Sequence, residues 1–425
     1  MFSSLQSNEA LENGGGLYSL NSALLLSNVI LSHNVAKALR LSEVYDVGGG
    51  ALFLLNSGGL FQHCTMSGNR AAMGGAAVLV NSGPLTSNSS STHPVFASCT
   101  VFENSATSRG GGFFAFLSYF DMTDTWLYQN NATLGGGVSL EQSTGRALHS
   151  QFSQNWAFQG GAVHMNLNAE FQDIDGVLFG NQATREGGSF YCTFCSIQLL
   201  RTLVRFSSAQ RDGGSFWLSS SAVASLQDVF VVDSTVEQGN GGGVFLSVAS
   251  SLSLQGGGMT RCISLSESSS AGRGGAVYVS SSLVALQQAE IRENLAAQGA
   301  ALYLVSANGV SLFDSLFVEN VATDQGGSLY SVSSPVFSSG TSMLRNRAGS
   351  SGGALHSIAS TLQLDSDSLI ENESGVGGAL YMDSSEVTLS TVLMEGNVAS
   401  AIGGAIRSQL GVLFIESSSV LTRNT

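Results

Sequence analysis

The chain has 425 residues, of which 52 are glycine and only 3 are proline; 11% are charged and 43% are hydrophobic. This composition excludes a disordered polar chain, and the lack of a Gly-x-y period excludes collagen. The net charge of -14, from 16 basic and 30 acidic residues, argues against a nucleic-acid partner, because no basic cluster is present to contact phosphates.

No apolar run approaches the 18 residues of a membrane-spanning helix, and residues 1–16 do not resemble a secretion signal. The sequence therefore predicts no membrane contact through the chain itself.

A tetrad of two glycines, a small residue and an apolar residue recurs along the chain, mostly at intervals of 25 to 28 residues. Recurrence at a fixed period is typical of stacked repeat proteins. In one copy Ala300 replaces the second glycine. The tetrads begin at Gly14, Gly49, Gly74, Gly110, Gly135, Gly160, Gly187, Gly213, Gly241, Gly274, Gly299, Gly326, Gly352, Gly377 and Gly403.

A second element precedes the tetrad, usually by five to seven residues: an asparagine with an apolar residue three positions before it. The asparagines are Asn8, Asn34, Asn69, Asn104, Asn130, Asn155, Asn181, Asn294, Asn320, Asn346, Asn372, Asn397 and Asn424, with Ser207, Ser234 and Cys262 in the same position of the middle repeats.

On both sides of each tetrad apolar residues occupy every second position, and this two-residue period is typical of strands with one buried face. Strands that repeat every 26 residues without helices between them predict an all-β, right-handed parallel β-helix of about sixteen coils. Equivalent asparagines should then stack as a ladder of side-chain amides, and the glycines should form corners. We expect a single repeat domain over 1–425, with corner insertions near 35–47, 81–94 and 263–273.

Two tetrads in phase, such as Gly274-Gly275-Ala276-Val277 and Phe317-Val318-Glu319-Asn320, resemble the repeats of the polymorphic membrane proteins of chlamydial outer membranes. That family is similar to autotransporter passengers, which are surface-displayed β-helices that mediate adhesion. The resemblance implies a cell-surface or extracellular protein. The chain has no secretion signal or C-terminal barrel segment and begins and ends within the repeat, so we expect it to be a fragment of a longer protein.

One outward position after each glycine pair carries an unusual number of aromatic residues. Six consecutive coils have an aromatic residue there, and we call this set the aromatic column: Tyr191, Trp217, Phe245, Tyr278, Tyr303 and Tyr330. Stacked rings stabilise neighbouring strands, whereas exposed rings offer a planar surface to a sugar or a protein. We predict an exposed aromatic face that binds a glycan or a protein partner.

A second outward position, six residues before the asparagine, carries charges in five consecutive coils. We call this set the charged column: Asp124, His149, Asp175, Arg201 and Asp228. Parity places it on the outer face of a strand. It is either a ladder of alternating charges or, less favoured, the acid–base residues of an enzyme that acts on polysaccharides.

The five cysteines carry little predicted chemistry. Cys64 and Cys99 should stack inside the coils, either as thiols or as a disulfide, and Cys192-x-x-Cys195 should be packing rather than a zinc site. We expect no metal and no cofactor. Asn88, Asn131 and Asn372 each begin a glycosylation sequon; Asn372 belongs to the ladder, so Asn88 is the best candidate.

The leading hypothesis from sequence is therefore a non-catalytic adhesion or recognition rod that binds a glycan or protein. The alternatives are a polysaccharide lyase or hydrolase and a purely structural wall or matrix component.

Overall fold

The computed structural model describes residues 3–37, 48–83, 93–264, 272–416 and 418–425. The fold is a β-solenoid of about 15 turns of roughly 26 residues, with 61% of the residues in strands and no helix in these ranges. The predicted parallel β-helix of about sixteen coils is thereby confirmed. Most of the three predicted insertions and the sequon at Asn88 lie outside the described residues.

The chain divides into two compact units, Met1–Ser208 and Ala209–Thr425, called here the N-terminal and C-terminal units. In each unit the strands form three parallel sheets. Along the chain the second-sheet strand follows the asparagine position, the third-sheet strand follows the tetrad's first two residues, and the first-sheet strands lead to the next asparagine position.

In the N-terminal unit, the first-sheet strands are Ser3–Gln6, Ala23–Ser27, Val29–Ser32, Gly58–Gln62, Thr65–Ser67, Pro94–Ala97, Thr100–Phe102, Tyr119–Thr123, Trp126–Tyr128, Thr144–Leu148, Gln151–Ser153, Glu170–Ile174, Val177–Phe179, Ser196–Leu200 and Leu203–Arg205. The second-sheet strands are Glu9–Ala10, Val35–Ala36, Arg70–Met73, Ser105–Arg109, Asn131–Leu134, Trp156–Gln159, Gln182–Glu186 and Ser208–Ala209, whose second residue is the first of the C-terminal unit. The third-sheet strands are Leu17–Leu20, Leu52–Leu55, Ala77–Val80, Phe113–Phe116, Val138–Glu141, Val163–Asn166 and Phe190–Thr193.

In the C-terminal unit, the first-sheet strands are Val223–Val232, Ser251–Thr260, Leu283–Gln287, Glu290–Arg292, Gly309–Phe313, Leu316–Val318, Pro335–Ser339, Ser342–Leu344, Thr361–Asp365, Ser368–Ile370, Glu386–Ser390, Leu393–Glu395, Val412–Ile415 and Val420–Thr422. The second-sheet strands are Thr235–Val236, Ile263–Ser264, Leu295–Gln298, Val321–Gln325, Arg347–Ala348, Glu373–Val376 and Val398–Ile402. The third-sheet strands are Phe216–Ser219, Val244–Leu246, Val277–Ser280, Leu302–Val305, Leu329–Val332, Leu355–Ile358, Leu380–Asp383 and Ile406–Gln409.

Equivalent residues of successive coils lie directly over one another. Leu178 pairs in register with Val204, and both side chains are completely buried. Alternate residues of each strand point into the solenoid, and the buried apolar residues fill its interior. The outward residues of neighbouring coils consequently form straight columns, and any surface site must be assembled from them.

The asparagine ladder is confirmed in both units. The side-chain amide of Asn155 donates hydrogen bonds to Oδ1 of Asn181 at 3.1 Å and to the backbone oxygen of Leu127 at 2.9 Å, while its own Oδ1 accepts from Asn130. Asn155 is completely buried, so these bonds satisfy a polar group that would otherwise lose its hydration without compensation.

The glycine corners are tightly packed. Gly160 has a φ of 65°, in the left-handed region. A Cβ atom on Gly161 would lie 2.3 Å from the backbone oxygen of Gly188 and 2.5 Å from that of Gln182. Successive coils approach so closely at this corner that a side chain does not fit.

A column of small residues lies inside the first sheet, as predicted for Cys64 and Cys99. Both cysteines are buried, free thiols, and the column continues with Thr125 and Ser150. By contrast, Cys192 and Cys195 form a disulfide, so the prediction that they only pack is wrong. Cys192 is buried at an inward position of its strand. Phe194 adopts a left-handed conformation, and the turn that it makes brings Cys195 close to Cys192.

Candidate functional site

The aromatic column forms an ordered stack in the C-terminal unit. Strand pairing in register places Phe245 between Trp217 and Tyr278. The ring centroids of successive members are 6.2, 4.9, 5.3 and 5.0 Å apart from Trp217 to Tyr330, and the planes lie within 5° of parallel. His356 and Tyr381 extend the stack at 4.8 and 4.6 Å. Tyr191 belongs to the N-terminal unit, where it stacks on His164 at 5.1 Å.

The expectation that this column is an exposed face is not met. Tyr303 and Tyr330 are buried, with 6% and 7% of their surface exposed, and the other four members are half-buried. Each ring inside the stack has both faces covered by its neighbours, and the guanidinium of Arg273 lies 5.1 Å from the ring centroid of Tyr303. Burial raises the pKa of Tyr278 and Tyr303, and that of Tyr330 to about 12. A sugar therefore has no free ring face to stack on inside the column, whose arrangement is that of cross-strand packing.

In the N-terminal unit the charged column contains an ion pair between Arg201 and Asp175, and His149 lies between Asp175 and Asp124. His149 lies 3.7 Å from Asp124 and 3.6 Å from Asp175, and Arg201 donates to both carboxylate oxygens of Asp175 at 2.6 and 2.8 Å. The hydrogen bond from Arg201 lowers the pKa of Asp175. Asp228 lies in the C-terminal unit, beside Gly256.

Four residues of the charged column, Asp124, His149, Asp175 and Arg201, do not lie on a strand, contrary to the parity argument, whereas Asp228 lies within the strand Val223–Val232. These four are turn residues with φ between 48° and 56° that connect the two first-sheet strands of their coils; Asp228 also has a positive φ, of 52°. Similar pairings occur at another corner of the C-terminal unit, where Arg261 lies 2.6 Å from Asp233 and 3.7 Å from Glu293. Alternating charges are thus a repeated way of stacking turns, which favours the ladder interpretation.

A shallow groove on the first sheet borders the charged column. Its polar members are Asp121, Arg146 and Gln172, which are paired in register on three adjacent strands. Their contacts are mostly internal: His93 bonds Asp121 at 2.8 Å, and Arg146 donates to the hydroxyl of Tyr119 at 2.9 Å. The remaining Oδ1 of Asp121 is buried, so this groove offers a ligand little free polar surface.

A wider groove of about 550 Å³ lies on the second sheet of the N-terminal unit. We call it the Trp156 groove; its outward lining residues are Ser105, Thr107, Asn131, Thr133, Trp156, Phe158 and Thr184. Trp156 and Phe158 are 42% and 40% exposed. Sequence reasoning missed this site because only one coil carries aromatic residues there, although the asparagine register predicts that Trp156 and Phe158 point outward.

The described ranges contain no group of three or more His, Cys, Asp or Glu side chains that could hold a metal ion. Nor do these ranges include a helix of the length and apolarity needed to cross a membrane.

No protein-family model matches the chain. A segment of 100 residues is 29% identical to part of metabotropic glutamate receptor-like protein R of Dictyostelium discoideum. The matched segment is 23% of this chain and 6% of that protein, so the chain is similar to a small part of it.

Proposed function

We propose that the chain is a non-catalytic recognition protein of the cell surface or extracellular space that binds a glycan or protein partner on its outer sheet faces. The observation that carries this proposal is a set of large aromatic side chains that point outward from the N-terminal unit and remain exposed. They are Trp126 at 55%, Trp156 at 42%, Phe158 at 40%, Phe194 at 52% and Phe206 at 42%. Exposed aromatic side chains are enriched at recognition surfaces because they bury much area with few rotatable bonds.

The resemblance to polymorphic membrane protein repeats supports a surface location and a role in adhesion. The receptor-like name of the Dictyostelium relative is in keeping with the same location, although that match covers a short segment. The net charge of -14 disfavours nucleic acid as the partner.

An enzyme that acts on polysaccharides is the second candidate, because His149 lies between two carboxylates. The ion pairs of the charged column disfavour it, since a general acid needs a raised pKa and that of Asp175 is lowered. The two carboxyl groups whose pKa rises to about 7, Asp173 and Asp367, are buried. Incubation with acidic polysaccharides would show new reducing or unsaturated ends if this candidate were correct. A purely architectural role is the third candidate.

The test of recognition is binding of the labelled chain to eukaryotic cells and to immobilised matrix proteins. The combined substitutions Trp126→Ala and Trp156→Ala should abolish binding, because they remove two exposed anchors. The matched control is the pair Trp217→Ala and Tyr278→Ala, which removes aromatic rings from the packed column and should preserve binding in the folded variant. Binding by the first variant at the wild-type level, or no binding by the wild type, would contradict the proposal.

A further inference from the structure

The Trp156 groove is built from four adjacent second-sheet strands of the N-terminal unit, paired in parallel. Their outward residues repeat two positions apart, as Ser105 and Thr107, Asn131 and Thr133, Trp156 and Phe158, and Gln182 and Thr184. The residues between them, Ala106, Ala132, Ala157 and Ala183, are buried. Two aromatic rings are therefore set between short hydroxyl and amide side chains on both sides.

The exposure of these rings distinguishes them from packing residues. In the aromatic column, consecutive coils supply aromatic rings that cover one another, which leaves Tyr303 only 6% exposed. Trp156 pairs instead with Asn131 and Gln182, whose side chains leave the indole 42% exposed. Burying these rings against a ligand would remove apolar surface from water that the fold itself leaves exposed.

The charges around the groove favour an uncharged ligand. None of its lining residues is ionisable. Arg185 lies beside the groove, with its guanidinium 5.5 Å from the ring centroid of Phe158, and it is already paired with Glu186 at 2.8 Å. None of the residues that line the groove, therefore, offers a cation that could bind a carboxylate or sulfate group of a ligand. None offers a carboxylate that could bind an amine.

We infer that the Trp156 groove binds a neutral oligosaccharide, with a pyranose ring stacked on Trp156 and its hydroxyl groups bonded to flanking side chains. A pyranose has an apolar face of C–H groups and a rim of hydroxyls, which matches aromatic rings bordered by Thr133, Asn131 and Thr184. Adjacent strands are about 4.8 Å apart, so one sugar ring spans about one step between coils. The volume of about 550 Å³ is within the range of small-ligand sites.

This inference rests on the proposed recognition function and gives it a ligand class. The sequon Asn131-Ala132-Thr133 lies within the groove, so a glycan attached to Asn131 would occupy it. The protein should therefore be produced in bacteria, without glycosylation. The probes are cellotetraose, mannotetraose and N-acetylchitotetraose, titrated to millimolar concentration and followed by tryptophan fluorescence and saturation-transfer NMR.

We expect at least one probe to bind and to receive saturation from aromatic protons. Trp156→Ala should weaken its binding at least about tenfold, the effect of removing a central aromatic anchor. Phe230→Ala is the control, because Phe230 is 48% exposed on a first-sheet strand of the C-terminal unit and is not part of the groove; it should leave the affinity unchanged. Far-UV circular dichroism shows whether each variant retains its strands.

Failure of all three probes to bind, or equal losses of affinity in Trp156→Ala and Phe230→Ala, would overturn the inference. If no sugar binds but the chain still binds cells, the recognition function stands and the groove assignment falls. If a sugar binds at Trp156 but the chain binds neither cells nor matrix, the groove assignment stands and the proposed function falls.

Discussion

A buried carboxyl group in each unit should make a contribution to stability that decreases as pH rises. Asp173 is 1% exposed; its Oδ2 accepts a hydrogen bond from Thr202 at 2.6 Å, and its Oδ1 has no partner among the described residues. It lies against Gly176, on which a Cβ atom would come within 2.0 Å of the carboxylate. Burial raises the pKa of Asp173 from 3.8 to about 7.

The sign follows from which state holds the proton. Between about pH 4 and pH 7 the unfolded chain has lost the proton of Asp173 and the folded chain retains it, so stability falls as pH rises. Above pH 7 both states are ionised, and the full cost of burying the charge remains. A difference of about three pKa units at about 1.4 kcal/mol each gives about 4 kcal/mol.

Asp173→Asn removes this titration while keeping the size of the side chain. We expect the variant to be more stable than the wild type by up to about 4 kcal/mol at pH 8, and by about 1 to 2 kcal/mol at pH 5. Urea unfolding of both proteins at the two pH values, followed by tryptophan fluorescence, measures the difference. A stability difference that is the same at both pH values would refute the reasoning.

His164 should oppose Asp173 within the same unit. Burial lowers the pKa of His164 from 6.5 to about 3, so the folded state becomes less stable as pH falls below 6.5. Between about pH 4 and pH 6.5 the two contributions have equal and opposite slopes, and their sum is flat. In Asp173→Asn the histidine contribution is unmasked, so the stability of the variant should rise with pH over this range. His356, with a pKa of about 4, and Asp367, with a pKa of about 7, form the same combination in the C-terminal unit.

Three further substitutions test the fold, each measured by urea unfolding. Asn155→Ala should cost about 2 to 4 kcal/mol, because it leaves buried ladder groups unpaired; a loss below about 0.5 kcal/mol would contradict the ladder. Gly161→Ala should cost more than about 3 kcal/mol from the clash with the next coil, and Gly309→Ala, where a Cβ atom would approach only a Leu283 methyl group at 3.3 Å, is its control. Tyr303→Leu should lower the free energy of unfolding by about 1 kcal/mol without weakening ligand binding. Loss of ligand binding in this variant would indicate that the aromatic column is the binding site.

The repeat made most of the fold predictable from the sequence. An asparagine occupies the position of Asn320 in all coils except those of Ser207, Ser234 and Cys262, so the hydrogen bond from Asn320 to Asn346 follows from the register alone. The interior position of Cys64 and Cys99 follows in the same way, because alternation fixes which side chains point inward. The disulfide between Cys192 and Cys195 did not follow, since it depends on a left-handed turn at Phe194 that no glycine marks.

The properties of the surface were harder to predict, because the direction in which a side chain points does not determine how much of it is exposed to solvent. Alternation places Tyr303 on the outside correctly, but its exposure is set by the rings above and below and by Arg273. The conformation of the charged column was also hard to predict. Asp124 and His149 adopt a positive φ in a turn, but because neither is glycine the sequence pattern places them on a strand.

The aromatic column and the Trp156 groove differ in how far their aromatic rings are exposed, and this difference indicates where on a solenoid a ligand can bind. When neighbouring coils all place aromatic rings at one position, the rings pack against one another at about 5 Å and their faces become part of the structure. When one coil alone does so, as at Trp156 between Asn131 and Gln182, the ring face remains open to solvent. The continuous pattern that is easiest to recognise in the sequence therefore stabilises the fold, and a single departure from the pattern of its neighbours is the better indicator of a binding site.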